Sequence, residues 1–576
     1  SFSSIYTMSS ADVLVYDMSA SPRVEPSVFV KKSWLQVLDD NAQNYSGNQI
    51  TLQTSAISNS NTYVNMSEAY IQLPLIMTLT SATASAGKMA PATAGTSCDY
   101  TLGLRNWLGS LINSLSVEMN GSSLVQVTNF LPLYNNFKLM TTLSWDDVKL
   151  MSSAGFYPDD ALSVSFQTGN SENGIGVSNN ENGISFPTVT GAFNTYHKGN
   201  QGFLRRQMGF NYNPAGTTSS ASNSATFGRL LSASYANQLY KSYIFTRQNA
   251  TSSLKGVFQQ ALTGVVHLKH LSDIFAKMPL LKGAYLKLVM GVSNVSVDFT
   301  VASNVISGTT VQNTQGGICP LMIASALAGN GSRTLPDDTY TASLAVGGKC
   351  LNTTQLAISG VTSSPLAQSV TLNCPSYVFN PSAELAYLKD SVKRIVYKDI
   401  YQFTIQNVAS GSNVNALVSN GIANMKKVIC MPFFTASANG GGLSDLQSPF
   451  SGAGGGQTSP LAHIGAFNIA VSGANLFPTN VRYNYEMFQN HLYGIGAING
   501  GQTDGLNSGL ISPLDFETAY GYYVGDVSRD LEISKDIPKS LNILGQNLSA
   551  KEIDIFVFVE YETEITIDAL TSSRIA

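Results

Sequence analysis

Charge is what this chain has least of. Asp, Glu, Lys and Arg make up 12% of its 576 residues, about half of the roughly 25% usual in soluble proteins. The net charge of −4 argues against nucleic-acid binding, because neutralising phosphates requires clustered Lys and Arg. Its basic pairs, Lys31-Lys32, Arg205-Arg206 and Lys426-Lys427, stand alone and read as solvated spots or ion-pair partners. Cysteine is also scarce: Cys98, Cys319, Cys350, Cys374 and Cys430 are odd in number and share no C-x-x-C spacing. Neither a disulfide framework nor a zinc site is expected, and the thiols read as reduced, mostly buried groups in a protein assembled inside a cell. No apolar run reaches the roughly 18 residues of a membrane helix. The start, SFSSIYTMSSADVLVYDM, has neither a basic n-region nor an apolar h-region, so neither export nor a membrane span is expected. Sequons at Asn65, Asn120, Asn249, Asn294, Asn330, Asn352 and Asn547 are what a chain rich in Asn, Ser and Thr produces by chance.

Catalytic signatures are missing as well. The chain has no G-x-x-x-x-G-K-[ST], G-x-G-x-x-G, G-x-S-x-G or H-E-x-x-H; GIGAING (494–500) comes nearest to a nucleotide loop, with the wrong spacing. His267, His270 and Asp273 lie at i, i+3 and i+6, which on a helix would share a face and suit a divalent metal. The segment before them alternates like a strand, so they are expected to diverge. His197, His463 and His491 are scattered and read as structural. The acidic pairs Asp39-Asp40, Asp146-Asp147, Asp159-Asp160 and Asp337-Asp338 read as caps and loop residues rather than glycosidase carboxylates or calcium ligands. Two aromatic groups, Tyr483, Tyr485 and Phe488, and Tyr520, Tyr522 and Tyr523, read as core or interface rather than sugar platforms. No catalytic, cofactor-binding or metal-ligating residue is therefore assigned, and no cofactor is expected.

What the chain has instead is Ser, Thr, Asn and Gly on its turns and edges, with 26 Tyr and 26 Phe supplying bulk. Charge depletion with aromatic enrichment marks the buried part of protein interfaces, so much of the surface is expected to be covered by other subunits. The length suits about two large β domains. Residues 1–30, with Pro22 and Pro26, read as an N-terminal arm. From Ala69 to Leu79 the period is two, with Ile71, Leu73, Leu75 and Met77 on one face. LPLYNNFKLM (131–140) has helical spacing, and Ser144-Trp145-Asp146-Asp147 resembles a capping box that opens a helix stopping near Gly155. Residues 169–226 are too polar to pack alone and read as long surface excursions. Strand patterning returns at 257–268 and 284–292, with a division between domains expected near Val295.

The second half, 296–576, repeats this order. SVEMNGSSL…LPLYNNFKL and NIAVSGANL…NYEMFQNHL both spell strand, polar-Gly turn, helix, the second helix (480–494) expected to be capped by Asn480 and stopped by Gly494. MPLLKGAYLKL and IPKSLNILG each place an apolar-Pro pair before a strand. A Gly-rich loop spans about 435–460, and IDIFVFVEYETEITIDAL reads as a long alternating strand pair. The fold expected is all-β: two tandem eight-stranded jelly-roll sandwiches with short helices and long surface loops.

Several strings, VHLKHLSDIFAKMPLLKGAYLKLVM, FNPSAELAYLKDSVKRIVYKDIYQFTIQNV, NGIANMKKVICMPFFTASANGG, FNIAVSGANLF and IPKSLNILGQNLSAKEIDIFVFVEY, resemble a known family. It is the double jelly-roll major capsid proteins of tailless bacteriophages, virophages, polinton-like viruses and adenovirus, with the virophage and polinton-like branch nearest. The resemblance covers 250–576 well and the first 250 residues weakly. It implies a homotrimer whose six sandwiches form a pseudo-hexagonal capsomer, tiling an icosahedral shell with neighbouring capsomers, penton and minor capsid proteins around a double-stranded DNA genome. It carries no catalytic residue. A β-sandwich adhesin or surface-layer protein, and a glycan hydrolase, are the competing classes.

Overall fold

The computed structural model describes residues 28–58, 61–81, 98–127, 129–159, 207–212, 243–247, 257–302, 305–324, 338–347, 369–440, 442–451, 457–459, 461–492, 508–528, 537–571 and 573–575. Short alternating segments become strands, as their period of two requires. In the first half these are β1 (Phe29–Leu38), β2 (Gln49–Gln53), β3 (Tyr70–Ser81), β4 (Ile112–Met119), β5 (Ser122–Val127), β6 (Val257–His267), β7 (Leu286–Val292) and β8 (Thr371–Phe379). The second half has β9 (Val392–Val408), β10 (Asn413–Ile422), β11 (Met425–Phe434), β12 (Ile464–Val471), β13 (Ala474–Asn475), β14 (Tyr523–Asp526), β15 (Lys539–Asn547) and β16 (Ile553–Asp568).

Pairing turns these runs into two copies of one topology. In the first half β1 pairs β8, β8 pairs β3 and β3 pairs β6, all antiparallel, while the facing sheet runs β2-β7-β4-β5. In the second half the sheets run β9-β16-β11-β14 and β10-β15-β12-β13. Adding eight to each number of the first set gives the second. This permutation, first strand beside the last and second beside the seventh, is that of a jelly roll. The chain is therefore an all-β protein of two jelly-roll sandwiches.

Where the strands lie explains two departures from expectation. The division expected near Val295 falls inside the first sheet system: β8, at 371–379, lies between β1 and β3 and completes that sheet. Between β7 and β8 the chain inserts Val295–Ala302, Val305–Gln312 and Asp338–Val346, and the last pairs with the far part of β3, from Tyr340↔Ser81 to Val346↔Leu75. The insertion is itself strand-rich, so it reads like the start of a second domain. The closing segment, expected as a strand pair, is the single strand β16, paired with β9 from Asp568 to Ile553.

Helices occupy the connection between the fifth and sixth strands in both copies. Helix α1 (Leu131–Thr142) follows β5, and Trp145–Leu150 follows with the expected capping box, Ser144 accepting from the Asp147 N–H and Asp147 reaching back to the Ser144 N–H. Asp273–Lys277 forms the short helix α2, while α3 (Tyr485–Leu492) and α4 (Pro513–Thr518) follow β13. The cap of α3 is Asn484, whose Oδ1 accepts from the Met487 N–H at 2.9 Å, not Asn480, which hydrogen-bonds Asn468 instead. Gly494, residues 1–27 of the arm, and the excursions of 169–226 apart from the strand Gln207–Tyr212 lie outside the described residues. The buried apolar side chains of both halves form one continuous cluster.

Candidate functional site

The two sandwiches meet along a buried seam built on β16. In IFVFVE (555–560) the odd residues Ile555, Val557 and Val559 are fully buried in the second sandwich's own core. The even residues turn the other way: Phe556 packs edge-on against Phe130 at 4.7 Å, Phe558 lies 6.1 Å from Tyr134, and Glu560 accepts the Tyr134 hydroxyl proton at 2.9 Å. A strand buried on both faces needs apolar residues at nearly every position, which is what this run supplies. Helix α1 of the first half is thus clamped between its own sandwich and the second, and Phe137 meets Tyr522 edge-on at 5.1 Å. Each buried aromatic of this kind contributes about 2–3 kcal/mol.

Polar groups lock the same seam. Arg105, fully buried, donates to the carbonyl oxygens of Leu446 at 2.9 Å and of Ser448 on the second half's loop. Burial pulls its guanidinium down to about 10. Tyr397 donates to Leu124 O, Tyr520 to Asp159 O and Gln457 to Asp159 Oδ2, each at 2.6 Å. Lys398 pairs with Glu560 at 2.7 Å, and its backbone N–H is received by Asp273 at 3.1 Å. Burial works against the charged Lys398, but Glu560 and Asp273 outweigh it and the ammonium is raised above its ordinary value. A cavity of about 120 Å³ beside this pair is lined by Lys138, Lys277, Asp273 and Thr141.

None of the residue groups singled out in the sequence assembles into a catalytic centre among the described residues. His267 ends β6, and its ring meets that of His270 edge-on at 5.9 Å. His270 in turn packs edge-on against Trp107, and Asp273 is engaged by Lys277 and Lys398. Among the described residues no three His, Cys, Asp or Glu side chains come together as metal ligands. His463 and His491 are half-buried and accept or share hydrogen bonds with Tyr523 and the Asp526 N–H. Asp39 and Asp147 serve a turn and a cap, Asp146 pairs with Lys149 on the surface, and Asp159 belongs to the seam. Tyr483, Tyr520, Tyr522 and Tyr523 are buried core residues, and Tyr485 packs beside Phe488 and Phe516. Lys32 and Lys426 are held by Glu68 and Glu562, whereas Lys427 is buried. Cys319, Cys374 and Cys430 are buried free thiols. His197, Asp160, Arg205, Arg206, Asp337, Cys350 and the GIGAING loop lie outside the described residues. No helix among the described residues is long and apolar enough to cross a membrane.

Sequence reasoning missed Arg105, Lys398 and Glu560, the charges that structure the seam, and it read Lys427 as a solvated spot or ion-pair partner where the structure buries it. Their signal was present: Glu560 interrupts the apolar run IDIFVFVEY and Lys427 interrupts NMKKVICMPFF. A charge inside a doubly buried strand must find an opposite partner or a hydrogen-bonding cradle.

The outer surface is less finished. Strand β1 pairs only with β8 and β9 only with β16, so each sandwich leaves its first strand as an edge among the described residues, that of β9 covered midway by α2, whose Asp273 takes the Lys398 N–H. Both edges carry exposed apolar side chains: Val30, Trp34 (51% exposed) and Leu38 on β1, and Val392, Val396 and Tyr401 on β9. Leu385, on the helix linking β8 to β9, is 74% exposed. An exposed apolar edge strand invites pairing or cover by another chain.

No protein-family model and no curated protein matches this chain. Solved structures to which it is similar include a cryo-EM structure of the Sputnik virophage, 12% identical with a TM-score of 0.47, covering 96% of this chain and 92% of that one. The mavirus major capsid protein is 9% identical with a TM-score of 0.43, covering 100% and 95%. The Faustovirus major capsid protein is 9% identical with a TM-score of 0.43, covering 97% and 94%. The assignment of two jelly rolls rests on the strand permutation in this chain itself.

Proposed function

We propose that this chain is the major capsid protein of a double-stranded DNA virus, joining as a homotrimer whose six sandwiches make a pseudo-hexagonal capsomer. The observation that carries the reading is the doubling: one strand permutation occurs twice in a chain, and a buried seam fixes the two copies to each other. Three copies of a rigid two-sandwich unit present six similar sandwiches, so a threefold particle can sit in sixfold surroundings and tile a closed shell. The edge strands β1 and β9 and their exposed apolar residues support covering by further copies, as does the 12% charge content. We place the division between the sandwiches after Phe379, where the first sheet is complete.

In this reading the chain works by shape and contact. Its partners are neighbouring capsomers, penton and minor capsid proteins, its place is the virion after assembly inside the host cell, and it carries out no catalysis. Lys32 and Lys426 already face carboxylates, which favours leaving genome neutralisation to other components. Light scattering on the purified full chain at micromolar concentration tests the proposal. A trimer of the 61.4 kDa chain, 3 × 61.4 or about 184 kDa, is expected; a stable 61.4 kDa monomer would sink it.

A further inference from the structure

A second cavity, of about 250 Å³, opens at the end of the second sandwich where the β11–β12 and β13–β14 connections meet. Three functional groups from three separate stretches of chain line it: His463 just before β12, Arg482 just before α3, and Glu517 on α4. Among the described residues neither Arg482 nor Glu517 makes a hydrogen bond or ion pair. This contrasts with Lys398 and Glu560 at the seam, which pair with each other.

The remaining geometry sets the chemistry on offer. Tyr523 Oη accepts the Ile464 N–H at 2.8 Å and shares a hydrogen bond with His463 Nδ1, 3.0 Å away. Among the described residues His463 Nε2 has no partner, and it is a donor in the tautomer whose Nδ1 accepts from Tyr523. Burial, with Arg482 nearby, holds the imidazole below its usual value and keeps it neutral at pH 7. Leu461 stands at the same cavity with φ +62 and 56% exposure, an apolar side chain kept in the left-handed region against its preference. Such strain persists where the surroundings impose it, most often at ligand sites. Tyr483 and Phe516, both buried, line it as well.

We propose that this cavity binds an acidic monosaccharide unit. Arg482 and the His463 Nε2–H receive the sugar carboxylate, Glu517 accepts from ring hydroxyls, and Leu461 covers an apolar ring face. A planar guanidinium suits a carboxylate. An exposed carboxylate such as Glu517 gains little from a lone ammonium but can accept two hydroxyls at once, which favours a sugar acid over a zwitterionic amino acid. At about 250 Å³ the space falls below the ~300–1,000 Å³ of drug-sized pockets, so it seats about one ring. The inference concerns the second sandwich alone and stands whether or not the chain forms a shell.

Saturation-transfer NMR and calorimetry on the full-length protein test it, with glucuronate as probe and glucose and glycine as controls. Glucuronate should bind with a millimolar constant, and glucose roughly tenfold more weakly for want of the charge-assisted bonds. Arg482→Gln should weaken glucuronate about tenfold or more and Glu517→Gln severalfold. Neither should change the particle mass or circular dichroism, since both side chains are exposed and unengaged. Ala462→Phe, filling the cavity, should abolish binding. No binding of glucuronate at about 10 mM, equal binding of glucose, tighter binding of glycine, or unchanged affinity in Arg482→Gln would each overturn the proposal.

Discussion

Replacing Lys427 by Met should make the protein more stable, although it removes a charge between two carboxylates. Lys427 lies on β11 with Asp526 as its register partner on β14 and Glu560 on β16. Yet its side chain is buried, and the Nζ has no hydrogen-bond partner among the described residues. Burial pulls the ammonium down from 10.5 to about 8, with Glu560 and Asp526 offsetting only part of the cost. At ~1.36 kcal/mol for each pH unit, that fall corresponds to about 3 kcal/mol against the folded state at neutral pH. A methionine has similar length and no charge to desolvate, and Glu560 keeps Lys398 and Tyr134 as partners. Lys427→Met should therefore gain about 2–3 kcal/mol at pH 7, read from urea unfolding midpoints. Between pH 8 and 10.5 the unfolded wild type binds the proton and the folded one does not, so wild-type stability rises with pH. The advantage of the variant should shrink across that window. A less stable variant at pH 7, or a gain that does not change up to pH 10.5, would refute the reasoning.

Acid should loosen the fold through its histidines: His267, His270, His463 and His491 are all held below their usual value chiefly by burial, His270 at about 3. Depressed bases lose stability as pH falls below 6.5, each by up to about 1.4 kcal/mol per pH unit, whereas Asp445, raised to about 6 by burial, works in the opposite direction below that pH. The unfolding midpoint should drop from pH 6.5 to 5.5, and His270→Phe, which keeps a ring against Trp107, should flatten the drop. Arg105→Met strips donors from the buried carbonyls of Leu446 and Ser448 while relieving the burial of the guanidinium, so its signature should be faster hydrogen exchange at residues 445–448 rather than a large change in midpoint; unchanged exchange there would contradict the seam. Gly509 sits at φ +66, where a Cβ would fall 2.4 Å from Met140 O; Gly509→Ala should cost roughly 2 kcal/mol, seen as an earlier melt.

Much of this fold can be read from residue order alone, because strands announce themselves by period and turns by chemistry. The alternation of Ile71, Leu73, Leu75 and Met77, the Asn120-Gly121 turn, the capping box at Ser144 and the two strand-turn-helix passages all appear where the pattern places them. What cannot be read is long-range pairing. Thr371–Phe379 looks like any other strand, and only its register against Phe29–Leu38 reveals that it completes the first sheet. The single length of β16 escaped for a related reason: EYETEIT alternates polar and apolar as a turn-flanked pair would, yet β9 is long enough to hold it straight. Asn480 as a cap failed because its side chain has a better use bridging to Asn468. The seam charges depend on contacts between residues hundreds of positions apart, such as Tyr134 with Glu560, which no local pattern encodes.

The central claim is that two jelly rolls in one chain serve to build a six-cornered particle from three copies. Negative-stain electron microscopy of the purified full-length protein tests it most directly. Class averages should show a three-lobed particle with a hexagonal outline, six sandwiches around a threefold axis. Single two-lobed particles, or open filaments without threefold symmetry, would contradict it.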